Sequence, residues 1–393
     1  MSTTRLAAAA TIAAIALWVA GCGGGGGGIG GTGGPTEGSL HVSLTDAPSC
    51  GYDAVNISVQ KVRVHQSASA GDSDAGWSEV VLNPVKRVDL LSLTNGVLSD
   101  LGQTALPAGK YTQLRLVLAE NDGANPFANS VVPSGGAETG LSTPSATQSG
   151  LKLNVDIDVA ADKVADVILD FDACKSVVKR GNSGKYNLKP MLSVIPVLSD
   201  AGLRVVGYVD ASIAVSTTRV SVQSGGVPVK ATLPDSTGKF VLYPVPVGSY
   251  ELVVAASDHV TAVMTGVPVT TTSFTTVNSA AVPIAPAPSA LRSVTGTVTP
   301  ADATVRALQT FSGGPTIEAA WAAVDAVTGS FAFALPIQAP VKTGYVANPV
   351  SLNFVADSAA AGKYTIEAKA GGVVKTQAID ATAPVAPLSF SFP

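Results

Sequence analysis

The sequence has few charged, aromatic or metal-binding side chains. Of its 393 residues, 13% are charged and 5% are aromatic, and it contains three cysteines, three histidines and three methionines. So few sulfur and imidazole groups exclude a large metal cluster or an array of haems. The net charge of −4 gives no basic surface of the kind that binds nucleic acid, so we expect no nucleic-acid partner.

The sequence also lacks the short motifs of common enzyme classes. It has no G-x-S-x-G or H-E-x-x-H motif, no P-loop and no dinucleotide-binding fingerprint. Its histidines, His41, His65 and His259, are predicted to lie on strands or in a turn, which leaves little machinery for acid–base catalysis. We therefore predict a protein that is not an enzyme and that needs no cofactor.

The N-terminal residues have the pattern of a secretory signal sequence. Arg5 precedes an uncharged apolar run at residues 6–20, which is shorter than the ~20 residues that span a bilayer. The run ends in Val-Ala-Gly-Cys at Cys22 and resembles the lipobox of bacterial lipoproteins, which implies that residues 1–21 are removed and Cys22 is acylated. An ordinary signal peptide with a chance cysteine is the alternative.

A glycine-rich stretch follows Cys22. Residues 23–34 are almost entirely glycine, and such a run behaves as a flexible coil that could hold a folded body clear of a membrane. Three acyl chains exceed the two signals that stable anchoring requires. Because no Asp follows Cys22, we expect the bacterial cell envelope, at the outer membrane, as the location, with the membrane bound through the lipid.

The rest of the sequence alternates between apolar and polar residues with the period of β-strands. Leu40, Val42 and Leu44 alternate with polar residues, as do the apolar residues of 151–159. In residues 55–64 the alternation changes phase, which predicts a β-bulge near Gln60 and Lys61. We predict an all-β protein made of tandem β-sandwich domains of Greek-key or prealbumin-like type.

Composition shifts divide the chain into five segments, and two of these look alike. Gly207 matches Gly296, the turn from Asp235 to Phe240 matches that from Asp325 to Phe331, and Gly248 to Tyr250 matches Gly362 to Tyr364. The longer interval between Phe331 and Tyr364 predicts an insertion in the second copy. The predicted segments are 1–21 (signal), 22–37 (tether), 38–199, 200–284 and 285–393, the last beginning in a Pro/Ala linker.

Two of these segments resemble known families. Residues 38–198, with GSLHVSLTDAPSCGYDAVNISVQKVRVH, LPAGKY, LDFDACKSVV and YNLKP, resemble the bacterial domain of unknown function 4382. That family implies a lipid-anchored protein outside the cytoplasm and no established activity. Residues 203–284, with Gly207, the Asp235 turn and Pro-Val-Gly-Ser-Tyr250, resemble the carboxypeptidase regulatory-like domain, which implies a seven-stranded carbohydrate-binding-like fold.

Two cysteines remain once Cys22 is lipidated. In an oxidising compartment we expect Cys50 and Cys174 to form one disulfide. Such a bond would draw together loops rich in carboxylates. The candidates for a calcium site there are Asp46, Asp53, Asp170 and Asp172, against the alternative that these residues cap turns or face solvent.

Two functions from different classes stay open. The first is a non-catalytic structural or interaction module at the cell surface, with an envelope protein as partner. The second is a carbohydrate-binding lipoprotein with a polysaccharide as partner, because aromatic rings stack on sugar rings. The candidate rings are Trp77, Tyr208, Tyr243 and Trp321, for which burial in a core is the alternative.

Overall fold

The computed structural model describes residues 37–46, 51–197 and 202–393, apart from the side chains of Pro144 and Ser145. These residues are mostly strands with a few short helical turns, which confirms the all-β prediction. Within that part of the chain, no helix is long and apolar enough to cross a membrane. The predicted signal, the glycine tether, Cys22 and Cys50 lie outside the described residues.

The first unit consists of two sheets around one core. The strands are β1 (Glu37–Asp46), β2 (Tyr52–His65), β3 (Ser78–Asp89), β4 (Ser99–Pro107), β5 (Gly109–Leu118), β6 (Ser130–Pro133), β7 (Thr139–Ser142), β8 (Leu151–Val159), β9 (Val164–Phe171), β10 (Val177–Lys179), β11 (Tyr186–Leu188) and β12 (Leu192–Val197). A four-stranded sheet has the order β12-β9-β1-β4, and an eight-stranded sheet has the order β10-β11-β7-β6-β2-β5-β8 with β3 paired to β2. Helical turns are α1 (Pro144–Gln148), α2 (Ala173–Ser176) and a 3₁₀ turn (Leu90–Leu93).

The bulge predicted in β2 is confirmed. The register with both β3 and β5 shifts between Val59 and Lys61. Before the shift Val55, Ile57 and Val59 are buried, and after it Val62 and Val64 are buried. One extra residue thus turns both sets of valines toward the same core.

The middle and third units have the same strand topology. In each, three strands form one sheet and four form the facing sheet, and the last strand of the unit pairs in parallel with the first. The middle unit contains β13 (Val205–Tyr208), β14 (Arg219–Ser224), β15 (Val227–Thr232), β16 (Lys239–Leu242), β17 (Gly248–Ala255), β18 (Ala262–Val269) and β19 (Thr275–Thr276), with a 3₁₀ turn at Ala211–Ile213. The third unit contains β20 (Leu291–Thr299), β21 (Thr304–Thr310), β22 (Thr316–Ala322), β23 (Ser330–Pro336), β24 (Val341–Gly344), β25 (Val355–Ala356), β26 (Lys363–Ala370), β27 (Val373–Asp380) and β28 (Leu388–Ser391), with a 3₁₀ turn at Ser358–Ala360.

The residues that repeat in the sequence perform the same structural tasks in both units. A Cβ on Gly207 would lie 2.5 Å from Cζ of Phe240, and one on Gly296 would lie 2.4 Å from Cζ of Phe331. Each glycine therefore makes room for the phenylalanine of the neighbouring strand. The carboxylates of Asp235 and Asp325 accept hydrogen bonds from backbone amides of the turns that follow them.

The insertion predicted in the third unit joins it to the middle unit. Strand β24 pairs in parallel with β18 and so extends the sheet of the middle unit. The Pro/Ala segment is also packed: Val260 donates its N–H to the carbonyl of Ala287, and Ser289 donates to that of Asp258. These hydrogen bonds hold the Pro/Ala segment against the middle unit. The described residues form one compact unit.

The same tyrosine hydrogen bond occurs in all three units. The hydroxyl groups of the buried Tyr111, Tyr250 and Tyr364 donate to the carbonyls of Pro107, Pro246 and Pro336 at 2.9, 2.8 and 2.7 Å. In the first two units the proline stands four residues before the tyrosine, with a glycine between them. In the third unit the insertion separates the two residues, and the bond still forms. This bond resembles the tyrosine corner of other β-sandwiches.

We expect Tyr250→Phe to lower the free energy of unfolding by about 1 kcal/mol, because it removes one hydrogen bond and leaves the Pro246 carbonyl without its donor. Urea unfolding of both proteins measures the difference. Tyr208→Phe is the matched control, since the described residues offer the Tyr208 hydroxyl no hydrogen-bond partner. Equal losses in the two variants would contradict a specific role for the Tyr250 bond.

Candidate functional site: the charged junction of the three units

A buried ion pair joins the first unit to the middle unit. Asp170 is near the end of β9, and its carboxylate accepts a hydrogen bond from the ammonium of Lys230 on β15. The two side chains are 9% and 1% exposed. Burial raises the pKa of Asp170, and the Lys230 ammonium offsets part of that rise. Because each charge is the other's partner, neither unit can bury its residue at this place without the other.

A second buried carboxylate receives cations from all three units. Glu318 lies on β22 of the third unit, and its side chain is 2% exposed. Its Oε1 lies 3.1 Å from Nζ of Lys175 in the first unit and 3.4 Å from Nη1 of Arg219 in the middle unit. Its Oε2 lies 3.7 Å from Nη1 of Arg306, which also binds Glu367 at 2.7 Å through Nε.

Backbone hydrogen bonds and apolar contacts fix the same junction. The buried Gln223 of β14 accepts from the N–H of Glu318 at 2.7 Å and donates to its carbonyl at 2.9 Å. Val253 and Val263 of the middle unit form an apolar cluster with Phe311 and Ile317 of the third. The side-chain amide of Gln223 thus forms, with the backbone of Glu318, the pair of hydrogen bonds that a neighbouring strand would otherwise form.

A cavity of about 490 Å³ lies between the units at these charges. Its lining includes both members of the Asp170–Lys230 pair, and also Lys175, Arg306 and Glu318. Every one of these five side chains has an ion-pair partner within the lining or beside it. The arrangement is suited to holding the units in one orientation, since its charges are already neutralised by one another.

Three of the four carboxylates proposed for the calcium site, Asp46, Asp170 and Asp172, lie close enough to influence one another. Burial raises the pKa of Asp46 well above its usual value, and the nearby Asp172 and Asp170 raise it further. Oδ1 of Asp46 accepts from the N–H of Ala173 at 2.9 Å, whereas Oδ2 has no hydrogen-bond partner among the described residues. Asp53 does not join them; its carboxylate accepts from Ser134 at 2.9 Å and from the Gly135 amide.

Each of the three clustered carboxylates has a feature that reduces repulsion from the other two. Asp46 is buried under conditions that favour its neutral form, Asp170 pairs with Lys230, and Asp172 caps α2 by accepting from the N–H of Lys175 at 3.0 Å. Among the residues that the structure describes, no group of three or more His, Cys, Asp or Glu side chains is placed to hold a metal ion. The calcium ion therefore stays a prediction.

Only one cysteine of the predicted disulfide lies within the described residues. Cys174 lies in α2, directly beside the junction residue Lys175, and its side chain has an interaction partner. Cys50 lies outside the described residues. The pairing of these two cysteines therefore stays a prediction.

Two of the four aromatic rings proposed for sugar stacking are covered by arginine side chains of the protein. The guanidinium groups of Arg63 and Arg115 lie 4.5 and 4.9 Å from the ring centroid of Trp77. Tyr243 is 5% exposed, with Arg204 over its ring at 4.5 Å. Tyr208 and Trp321 are half-buried. Tyr243 is thus buried and the other three rings are partly buried.

The comparisons with known proteins concern mainly the first unit. Residues 37–190 match the family described as "Domain of unknown function (DUF4382)". This match confirms the resemblance predicted for the first unit and covers less than half of the chain. No curated protein matches the chain.

Solved structures give only distant likenesses. Two interface mutants of a type II cohesin–X-dockerin complex from Acetivibrio cellulolyticus are 22% identical over 22% of this chain and 59% of that chain, with TM-scores of 0.19. The chain thus covers less than two thirds of their length. A streptococcal ancillary pilin is 8% identical over 90% of this chain and 98% of that chain, with a TM-score of 0.17. TM-scores this low carry no argument about function.

The sequence reasoning missed the environment of His41. Nδ1 of this histidine on β1 lies 2.6 Å from the carboxylate of Asp166, its parallel neighbour on β9, and Nε2 lies 3.0 Å from that of Asp100 on β4. Burial lowers the pKa of His41, but the hydrogen bonds and charges of Asp166 and Asp100 outweigh it and raise the pKa above 6.5. The ring therefore links three strands of one sheet through its two nitrogens.

We expect Lys230→Met to lower the free energy of unfolding by about 3–5 kcal/mol, because it leaves the Asp170 charge buried and unpaired. The double variant Lys230→Met/Asp170→Leu should recover most of this loss, and denaturant unfolding of all three proteins measures it. Lys110→Met is the control, since its pair with Asp156 at 2.8 Å is exposed and solvent screening leaves such a pair little effect on stability. A double variant as unstable as Lys230→Met would refute the pairing.

The His41 contacts should make stability depend on pH. Because the pKa of His41 is higher in the folded state, its stabilising effect is fully present below pH 6.5 and is lost as the pH rises through the folded-state pKa. The difference in unfolding free energy between the wild type and His41→Gln should therefore be larger at pH 5.5 than at pH 8.5. A difference that is constant between these pH values would show that the ring stays neutral.

Proposed function

We propose that this protein is a non-catalytic, lipid-anchored envelope lipoprotein whose β units act together as one structural or interaction module. The observation that supports the proposal is that the buried charges bind the units to one another. Asp170, Lys230, Lys175, Arg219 and Glu318 pair with one another across unit boundaries, and they are not left poised toward a substrate. Such an interlock presents a surface of fixed shape.

The N-terminal sequence supports the anchored part of the proposal. Cys22 follows a short apolar run and precedes a flexible glycine stretch, which is the order of signal, lipid site and tether. We place the protein at the outer membrane of the cell envelope. A disulfide between Cys50 and Cys174 belongs to the same proposal, because it would tie the loop after β1 to α2 beside the junction.

The family to which the middle unit belongs is also part of the proposal. Its seven strands in sheets of three and four, with Gly207, the Asp235 turn and Tyr250 in their structural roles, support a carboxypeptidase regulatory-like domain. The matching topology of the third unit supports an origin of both units in one repeated sandwich.

Replacing Cys22 tests the anchor. We expect Cys22→Ala to appear in the soluble fraction or to keep its signal, because no thiol is left to receive the lipid. Fractionation of cells with immunodetection, together with the mass of the N-terminal peptide, measures both outcomes. Gly28→Ala, in the tether, is the control and should stay membrane-bound at the mature size. A Cys22→Ala protein that is processed and still sediments with membranes would refute lipid anchoring.

A further inference from the structure

The hairpin formed by β10 and β11 of the first unit carries a local excess of positive charge. Residues 173–199 contain five of the chain's 24 lysines and arginines and no aspartate or glutamate, although the chain as a whole has a net charge of −4. Two of the five contact the third unit: Lys175 pairs with Glu318, and Lys189 donates to the carbonyl of Asp302. The other three cations lie around the turn of the hairpin.

These three cations, Lys179, Arg180 and Lys185, are exposed. The N–H of Arg180 donates to the carbonyl of Lys185 at 3.0 Å and continues the register of the hairpin, so these two residues lie opposite each other. Like charges in that position destabilise a pair of strands. Within the described residues, no side-chain hydrogen bond or ion pair joins any of the three to another group of the protein. The turn therefore holds positive charge that an anionic partner could neutralise.

A turn of the third unit packs against the hairpin and adds an apolar side chain to its surface. The N–H of Ala326 donates to the carbonyl of Lys179 at 2.9 Å, and Oδ2 of Asp325 accepts from the N–H of Gly181 at 2.8 Å. The other oxygen of Asp325 accepts from the amides of its own turn, so backbone groups engage this carboxylate. Val327 lies beside Gly181 and is 65% exposed. The contacts thus fix an exposed apolar residue next to the three cations.

We propose that the turn of this hairpin, together with Val327, docks on a membrane surface of anionic lipid headgroups. This inference rests on the lipid anchor of the proposed function and adds the orientation of the anchored body. Each lysine or arginine near such a surface strengthens binding roughly fivefold, and an exposed apolar side chain can enter the boundary between headgroups and acyl chains. A glycine run such as residues 23–34 keeps the body near the membrane without selecting a face. The basic turn selects one.

The test uses the full-length lipidated protein in vesicles of phosphatidylcholine, either alone or mixed with phosphatidylglycerol. An environment-sensitive fluorophore on Asn182→Cys, at an exposed position of the turn, reports contact with the membrane. Its emission should shift to shorter wavelength in the anionic vesicles but not in the neutral ones. The shift should be lost at high salt, because salt screens the surface charge.

Neutralising the turn measures the contribution of its cations. Lys179→Gln/Arg180→Gln/Lys185→Gln should lower the ratio of docked to undocked protein on the order of 100-fold, the equivalent of about 1 kcal/mol for each cation. The matched control, Lys152→Gln/Lys163→Gln/Lys363→Gln, removes the same charge at exposed positions outside the hairpin and should dock like the wild type. Thermal unfolding confirms that both variants are folded. If the first is not, the salt and lipid dependence of the labelled protein with its cations intact still decides.

Three results would overturn the inference: equal emission in neutral and anionic vesicles, a shift that a folded neutralised variant keeps, or release by inorganic phosphate beyond that caused by sodium chloride of equal ionic strength. The last result would assign the turn to free phosphate and not to a lipid surface. Flotation of the vesicles measures the anchor separately. Protein that floats without docking contradicts this inference alone, whereas protein that does not float contradicts the proposed anchor and the inference with it.

Discussion

The Glu318 carboxylate is the point on which the arrangement of the three units depends. Its side chain is 2% exposed and lies between Lys175, Arg219 and Arg306, each from a different unit. Removing a carboxylate from water costs several kcal/mol, and only closely placed cations and hydrogen bonds offset that cost. The cations are in place only when all three units have docked. The charge therefore selects one docked geometry, and misaligned arrangements would leave it buried without partners.

The insertion of the third unit adds a second, independent constraint. Strand β24 hydrogen-bonds to β18 along its whole length, so the edge of the middle sheet is covered by a neighbouring unit. Tyr364 still donates to Pro336 across the insertion. The added segment therefore leaves the sandwich that hosts it unchanged while it serves the unit beside it.

The local features of the fold could be predicted from the sequence, because their causes lie within a few residues. The alternation in β1, the bulge after Val59 and the equivalent roles of Gly207 and Gly296 each follow from side chains close together in the chain or from a repeated pattern. The junction could not be predicted in this way. Asp170 and Lys230 are 60 residues apart, and nothing in either neighbourhood indicates the other.

The candidate binding residues show the same limit. Trp77 drew attention as one of three tryptophans, yet Arg63 and Arg115 cover its ring.

A low content of charge makes the few buried charges more informative. With 13% of residues charged, the chain has little capacity for the extended surface networks that give many proteins their salt-bridge counts. It nevertheless places two buried carboxylates, Asp170 and Glu318, and four cations at the junction of the three units. Hydrophobic burial alone would favour contact between the units in many orientations, because it is not directional. Paired charges are directional, and here they convert three adjacent sandwiches into one body with a defined outer surface.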